Sequence, residues 1–549
     1  MSHQCRPRKR RRLPCLVNTT AAAPAPAAAA AADSASEPFT LKEDHRVSVV
    51  KTTSHVIKNF PEYRNRMEEI MNWFQIHYPD YYNKVVFPLT PEMKADPTRH
   101  YYKATRDFHY HLLVSPPMMA WLSHGKKWKN KEKGTVYGHS HLSKYHQAVK
   151  LGADYSGGPK LSQQYVDEMD AYIDNMQREK AEAKQNNQIE EKDADPIGID
   201  LYQQICKWSL DDGTSRGITV WASAVTQWNC MGRPINIDAI GFHNMKKSPG
   251  LDSVVISYDK NKKDQHGKKV SPKNCYANPL KPHISFFLAM GCYLAINQDR
   301  YDRDKDKIFV KAGKDGSASD TYQKGLKELL ADPKKREKIM DSIREGHFHA
   351  YGMRKGSATL VATGTGDPPP VTSIMLRGEW SLGGSLDVYW FFSLVGDCYV
   401  GRVLAGFDPD GEDIAMLPPH FKEGMGNAFI NEAMELTFGG ILKRYRDKTS
   451  CLLLFLASIV YHQSFLRQYF EKNSKHPFNN IALLHRPDLL KKVSALVTLE
   501  PCGEVTQATG VPRYNKLLKL LRQVVEGNAE AIELVQREVA SIPRLLPTK

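Results

Sequence analysis

The stretch KQNNQIEEKDADP at 184–196 limits what this chain can fold into more than any other. It is polar and acidic, and it reads as a linker and a domain boundary. The chain before it is organised separately from the chain after it, and a new domain is expected to begin near Ile197. With 549 residues, two to four domains are expected, and 41% hydrophobic residues suffice for sizeable cores.

Before the linker, residues 1–40 are low complexity. RPRKRRRLP is a dense basic cluster of the kind read as nuclear localisation or nucleic-acid contact. The Ala/Pro run at 21–32 has no packing pattern and is expected to be disordered. An organellar transit peptide is the rival reading, since residues 1–32 lack any acid. Nuclear localisation is favoured because the charges are clustered rather than spread along an amphipathic helix. Six of the +15 formal charges lie in that cluster, which leaves +9 for the rest. A basic body of this size suits a polyanionic partner, nucleic acid before membrane.

Residues 41–190 read as mainly helical. Met67, Ile70, Met71 and Phe74 recur at helical spacing. HLSKYHQAVKLGA is basic and aromatic, with Lys144, Tyr145, His146 and Lys150, and the next helix, LSQQYVDEMDAYIDNMQREKAEAKQ, is amphipathic. Histidines are frequent here, but no Cys or HxxxH spacing supports a metal site, so phosphate-facing or ordinary surface histidines are the better reading.

Beyond the linker, LYQQICKWSL and GITVWASAVTQWNCMG read as helices, and HISFFLAMGCYLAIN as a buried one. GLDSVVISYDKNKKDQHGKKV alternates around a Lys-rich turn and predicts a β-hairpin. KGLKELLADPKKREKIMDSIREG is expected to be helical in two pieces, interrupted by Pro333. Residues 412–549 read as a helical C-terminal region of unknown role. Its last stretch carries an apolar stripe, Leu517, Leu520, Leu521, Val524 and Val525, then Ile532 and Val535. Such a stripe is either an edge helix packed on its own domain or a partner-docking helix, and the first reading is favoured. The fold class is therefore mainly α with a small antiparallel β-sheet.

The nine cysteines are scattered, odd in number and without a CxxC pair. They fit neither a zinc ribbon nor a disulfide framework, and a reducing, intracellular compartment suits them best. The longest apolar run, CLLLFLASIV at 451–460, is too short for a bilayer and predicts a buried helix.

The chemistry lies in the second part. LRGEWSLGGSLDVY, from Leu376 to Tyr389, is a short polar, Gly-rich turn between two helical segments, with Trp380 nine residues before Tyr389. Upstream stand Arg233, Lys262 and Arg354. Breaking a DNA strand without metal requires a nucleophile in line with phosphorus, fixed positive charge on the non-bridging oxygens, and a proton donor for the leaving 5′-oxygen. Arginine meets the second demand, being always charged and able to bind phosphate through two N–H groups. A tyrosine hydroxyl can meet the first, storing the bond energy as a phosphotyrosyl ester.

In this order and spacing, Arg233, Lys262, Arg354, Trp380 and Tyr389 resemble the tyrosine recombinase (phage integrase) superfamily. WNCMGRPINIDAI resembles the segment of its first Arg. YDKNKKDQHG resembles the hairpin turn of its Lys, with Lys260 or Lys263 as alternatives to Lys262. YGMRKGSAT, from Tyr351 to Thr359, resembles the H-x-x-R box. The wording of WNCMGR, KKDQ, YANPL, MRKGSAT and GEWSLGG…Y…GDCYVGR is similar to eukaryotic mobile-element recombinases of the DIRS and crypton kind. The resemblance covers 199–407 as catalytic domain and extends loosely to 41–190 as the helical core-binding domain, the two forming a clamp around duplex DNA in that family.

By resemblance, Tyr389 is the nucleophile, Arg233 and Arg354 hold the phosphate, Trp380 donates its indole N–H and Lys262 is the acid. Lys144, His146, Lys150, Lys260, Lys263 and Lys355 are candidate DNA contacts. No cofactor, metal or nucleotide is implied. The implied partners are double-stranded DNA and further copies of the chain, up to a tetramer on DNA, and the implied location is the nucleus. One place departs from the pattern: the box II His is Tyr351. A phenol titrates near ~10 and is a poor base at neutral pH, though it still donates a hydrogen bond. His349 serves instead only if the helix starts after it. The alternative implied function is therefore a catalytically inactive, domesticated DNA-binding protein. A type IB topoisomerase shares the chemistry, but its Ser-Lys-x-x-Tyr signature is absent from Leu386-Asp387-Val388-Tyr389.

Overall fold

A computed structural model of the protein describes residues 54–95, 105–128, 139–155, 159–186, 194–259, 270–301, 306–310, 317–340, 348–381, 393–512, 515 and 521. The chain divides into two compact units, Met1–Glu191 and Lys192–Lys549, so the division falls inside the polar 184–196 stretch. Both are mainly helical, with short antiparallel strand groups.

The first unit contains α1 (Ser54–His77), α2 (Pro79–Val85), α3 (Pro91–Ala95), α4 (Ser115–Trp128), α5 (His139–Tyr155) and α6 (Gln163–Gln185). β1 (Val86–Pro88) pairs with β2 (Arg106–Phe108). Met67, Ile70, Met71 and Phe74 are all buried, because positions spaced by three and four share one helix face. They join Trp121 and Leu122 of α4, Leu142, Tyr145 and Val149 of α5, and Tyr165 and Met169 of α6 in one core. The Tyr110 phenol lies directly against Gly152 of α5, where a Cβ would have no room, and donates to Asp107 at 2.8 Å.

The second unit runs α7 (Ile199–Asp211), α8 (Ser215–Cys230), α9 (Pro234–Asp238), α10 (Phe286–Ile296), α11 (Ala318–Ala331), α12 (Pro333–Met340), α13 (Ala350–Thr363), α14 (Val371–Arg377) and α15 (Leu394–Leu404). It continues through α16 (Ala428–Leu442), α17 (Thr449–Tyr461), α18 (Gln463–Lys472) and α19 (Pro487–Ser494). Helix α8 is the axis of this unit. Thr214 caps its N-terminus by accepting from the Gly217 amide at 3.0 Å. From Gly217 on it is buried throughout, and α7, α10, α11 and α13 all pack on it. Its Trp228 stacks on Tyr202 at 4.2 Å and donates its indole N–H to the Leu404 carbonyl.

Helices α10 and α17 are apolar on every side because both are enclosed, with Phe455 meeting Phe286 and Phe287 edge-on. Among the described residues, no single helix is long and apolar enough to cross a membrane. The residues after 412 thus share the core of the residues before it. A two-stranded pair, β6 (His420–Phe421) with β7 (Val497–Thr498), adds strand to a region expected to be helical. The striped segment near the end falls almost wholly outside the described residues.

The small sheet is β3 (Met245–Lys247), β4 (Val254–Ile256) and β5 (Lys273–Cys275), antiparallel and in that order. The strand that pairs with β4 is Lys273–Cys275, just beyond the 250–270 stretch expected to form the hairpin. Its register is fixed by Asn274, whose amide and side-chain N–H both donate to Asp397 of α15, at 2.7 and 2.8 Å. Pro333 does divide a helical stretch: α11 ends at Ala331 and the proline opens α12.

Candidate functional site

Two helix ends build the site. Helix α8 ends in a paired-bond cap: the Met231 amide bonds the Trp228 carbonyl and the Gly232 amide bonds that of Gln227. Helix α14 ends in the same way, Glu379 bonding Leu376 and Trp380 bonding Met375. This is the Schellman arrangement, whose penultimate residue needs a left-handed backbone. Met231 and Glu379 supply it, with φ of 47° and 55°. Neither is glycine, although a glycine is adjacent in each case.

Arg354, in the first turns of α13, joins the two caps. Its Nη1 donates to the Met231 carbonyl at 2.5 Å and its Nη2 donates to that of Gly378. The guanidinium also lies 5.2 Å from the Trp380 ring. The donors face carbonyls at the negative ends of two helices, where a cation is favoured. Gln227, fully buried, holds the same region from the other side. Its Nε2 donates to the carbonyls of Gly232 and Ala350, at 3.0 and 2.8 Å, and its oxygen accepts from the Tyr322 hydroxyl at 2.6 Å.

Arg233 follows the first cap by two residues, and Glu379 sits in the second. Arg233 Nη1 is 3.8 Å from the Glu379 carboxylate, which is also 3.0 Å from Lys273 Nζ. The Glu379 and Lys273 side chains are 1% exposed and that of Arg233 12%. Lys273 also donates to the Ser271 carbonyl and lies 4.2 Å from the centre of the Tyr258 ring, and Asn236 approaches the second carboxylate oxygen at 3.5 Å. Among the described residues, three cations against one carboxylate leave a formal +2 in an enclosed place. Burial, and then the like charge of Arg233, pull the Arg354 guanidinium below its usual range, while Glu379 pulls it up. A guanidinium starts so high that it remains charged. The arrangement suits an oxyanion with several hydrogen-bond acceptors, such as phosphate.

The structure thus brings Arg233, Arg354 and Trp380 together. Tyr351 lies one turn before Arg354 and is 44% exposed. Helix α13 starts at Ala350, immediately after His349, whose Nδ1 accepts from the Tyr351 amide at 3.3 Å, so His349 is the cap of this helix. The small residues of YGMRKGSAT let α13 lie on the 195–197 backbone: a Cβ at Gly356 would collide with the Ile197 carbonyl. Lys260, Lys262, Lys263 and Tyr389 lie outside the described residues. Tyr399, the other tyrosine of the region, spends its hydroxyl on Asp367.

The candidate DNA contacts divide. Lys144 is exposed on α5. His146 is buried instead, bonded to Asp170 at 3.1 Å beside the Tyr165 ring, and burial followed by the charge of Lys150 depresses its pKa. Lys150 pairs with the same Asp170 at 2.9 Å. Lys355 donates to the Ala194 carbonyl at 2.7 Å. Sequence reasoning passed over Glu379, Lys273 and Gln227. Glu379 stood inside the GEW motif, and Lys273 and Gln227 carried no local signal. Among the described residues, no cluster of three or more His, Cys, Asp or Glu could hold a metal ion.

No family model matches the chain, and no curated protein matches it.

Proposed function

We propose that this chain cleaves and rejoins DNA strands as a tyrosine recombinase, integrating or recombining a mobile element or derived from one. The observation that carries the reading is the convergence of Arg233 and Arg354 at two helix caps beside Trp380, nine residues before Tyr389. Tyr389 gives its hydroxyl proton to water and attacks phosphorus, the phosphorus–O5′ bond breaks, and the strand is held as a 3′-phosphotyrosyl ester. Lys262 gives its proton to the leaving 5′-oxygen. Arg233 and Arg354 neutralise the charge gathering on the non-bridging oxygens, and attack by the freed 5′-hydroxyl reverses the step. The basic cluster at the N-terminus accords with a nuclear location, and the +15 charge with double-stranded DNA as partner. Work on two duplexes would need several copies, a tetramer by resemblance.

A second reading has its own observation. Tyr351, exposed where an imidazole is expected, offers no base, and both terminal nitrogens of Arg354 are engaged by carbonyls. A DNA-binding protein without catalysis would tolerate both. Covalent trapping separates the two. A nicked duplex carrying the element's own terminal repeats should capture the wild type through Tyr389, and Tyr389→Phe should abolish the adduct. Tight DNA binding with no adduct from the wild type leaves the second reading.

A further inference from the structure

Glu379 is an unexpected residue for its backbone. The left-handed position of a paired-bond helix cap is usually Gly, sometimes Asn, because a side chain there costs about 1–2 kcal/mol. Gly378 stands next to it, so a one-residue shift would have placed glycine in the strained position. The glutamate is held there by its carboxylate, which one side ties to β5 and the other to the turn after α8. From β5, Lys273 bonds one oxygen at 3.0 Å. From the turn, Asn236 reaches the other at 3.5 Å and Arg233 comes within 3.8 Å.

We propose that Glu379 is a positioning residue for Arg233, fixing its guanidinium toward the phosphate site that Arg354 and Trp380 complete. The inference rests on the reading of that site as a phosphate site. Without the carboxylate, the charges that Arg233 faces among the described residues are like charges, Arg354 and Lys273, and it stands next but one to Ile235, which is 70% exposed. It would turn toward solvent. Lys273, enclosed and shared with the Ser271 carbonyl and the Tyr258 ring, holds the carboxylate in place. The remaining +2 matches a phosphodiester whose charge rises from −1 to −2 as the fifth oxygen bonds.

The test is the double variant Glu379→Gln with Lys273→Met in the full chain. It removes both members of the enclosed pair, so Lys273 is not left stranded, and it leaves the same formal +2 on Arg233 and Arg354. Two quantities are measured: the rate of the Tyr389 adduct on a nicked duplex, and calorimetric binding of inorganic phosphate, with Arg233→Ala defining the phosphate bound at this site. The expected result is a folded protein whose adduct forms about 10- to 100-fold more slowly at nearly unchanged DNA KM, with weaker phosphate binding. Glu379→Asp, which keeps the charge, should recover part of the rate. A purely structural role predicts that the double variant, once folded, matches wild type in both measurements, and that result overturns the proposal. If wild type forms no adduct but binds phosphate through Arg233, cleavage is lost as a reading and phosphate affinity alone decides the role of Glu379. If wild type does neither, the phosphate site itself fails and this inference falls with it.

Discussion

Met231 and Glu379 occupy the same place at the ends of two different helices, each left-handed, and Arg354 bonds the carbonyl of the first and the carbonyl just before the second. One side chain thereby fixes the distance between two turns. Arg233 lies two residues past one left-handed position, and Trp380 one residue past the other. The site is a consequence of how α8 and α14 end, more than of how they run.

Arg354→Lys should therefore fail although it keeps the charge. An ammonium on a flexible stem cannot span two carbonyls in the fixed geometry of a guanidinium. Losing a charged bond to an enclosed acceptor costs about 1.5–3 kcal/mol. Urea denaturation should show a loss on that order, and the Tyr389 adduct should vanish. Wild-type stability in this variant would mean that the caps do not need the bridge.

Much of the helical layout was legible, because it follows from spacing within one segment. Met67, Ile70, Met71 and Phe74 share a face, and Pro333 can only begin a helix. What failed to show was set by partners far away in sequence. The strand at Lys273–Cys275 is fixed by Asp397, more than a hundred residues later. His146 looked like part of a basic surface, yet it lies among Leu142, Tyr145 and Val149 on the apolar face of α5, and the period of that helix already implied as much. Arg233, Arg354 and Trp380 were legible as an ordered motif, whereas Gln227 and Lys273, which hold the motif in place, carry no local pattern. Glu379 was hidden by its neighbour, since a sequence rule assigns the left-handed position to Gly378.

The strain at Glu379 can be measured apart from its charge. Against a Lys273→Met background, Glu379→Gly removes the side chain from a left-handed backbone, whereas Glu379→Gln keeps one there. The glycine double variant should be the more stable by about 1 kcal/mol in urea denaturation, the cost of a side chain in that conformation less the chain entropy glycine adds. In the wild-type background the order is obscured, because either single change strands Lys273 and costs about 3–5 kcal/mol. Equal stability of the two double variants would show that the cap does not store strain.

Acid should loosen the second unit through its buried histidines. His462 is buried, its Nε2 has no hydrogen-bond partner among the described residues, and burial pushes its pKa down to about 4. The unfolded chain takes up that proton near 6.5, so stability is complete above that pH and is lost as pH falls toward 4. At pH 5 the loss from this one group is about 2 kcal/mol. His283, also pushed to about 4 by burial, and His420 and His476, lowered by burial too, act in the same direction. His243 runs the other way between Asp259 and Asp306, but its contribution is already complete below its unfolded value. Urea midpoints at pH 7 and pH 5 should therefore diverge in wild type and draw closer in His462→Phe. An unchanged pH dependence in that variant would rule His462 out as the main acid-sensitive group.

On the proposed cleavage, Tyr351 is a residue whose replacement should change the rate. It is 44% exposed on the first turn of α13, so replacing it should disturb the fold little. An imidazole there could take the proton of the nucleophile near neutral pH, which general acid–base catalysis values at about 10²–10⁴-fold. If the site cleaves DNA with its phenol only donating a hydrogen bond to phosphate, Tyr351→His should raise the adduct rate by at least about tenfold, at the low edge of that range. Tyr351→Phe should lower it by several-fold. The pH profile should change as well: the histidine variant should gain rate with pH through the imidazole range near ~6.5. A histidine variant no faster than wild type, together with a phenylalanine variant no slower, would remove Tyr351 from the site and leave the proton of Tyr389 to another acceptor.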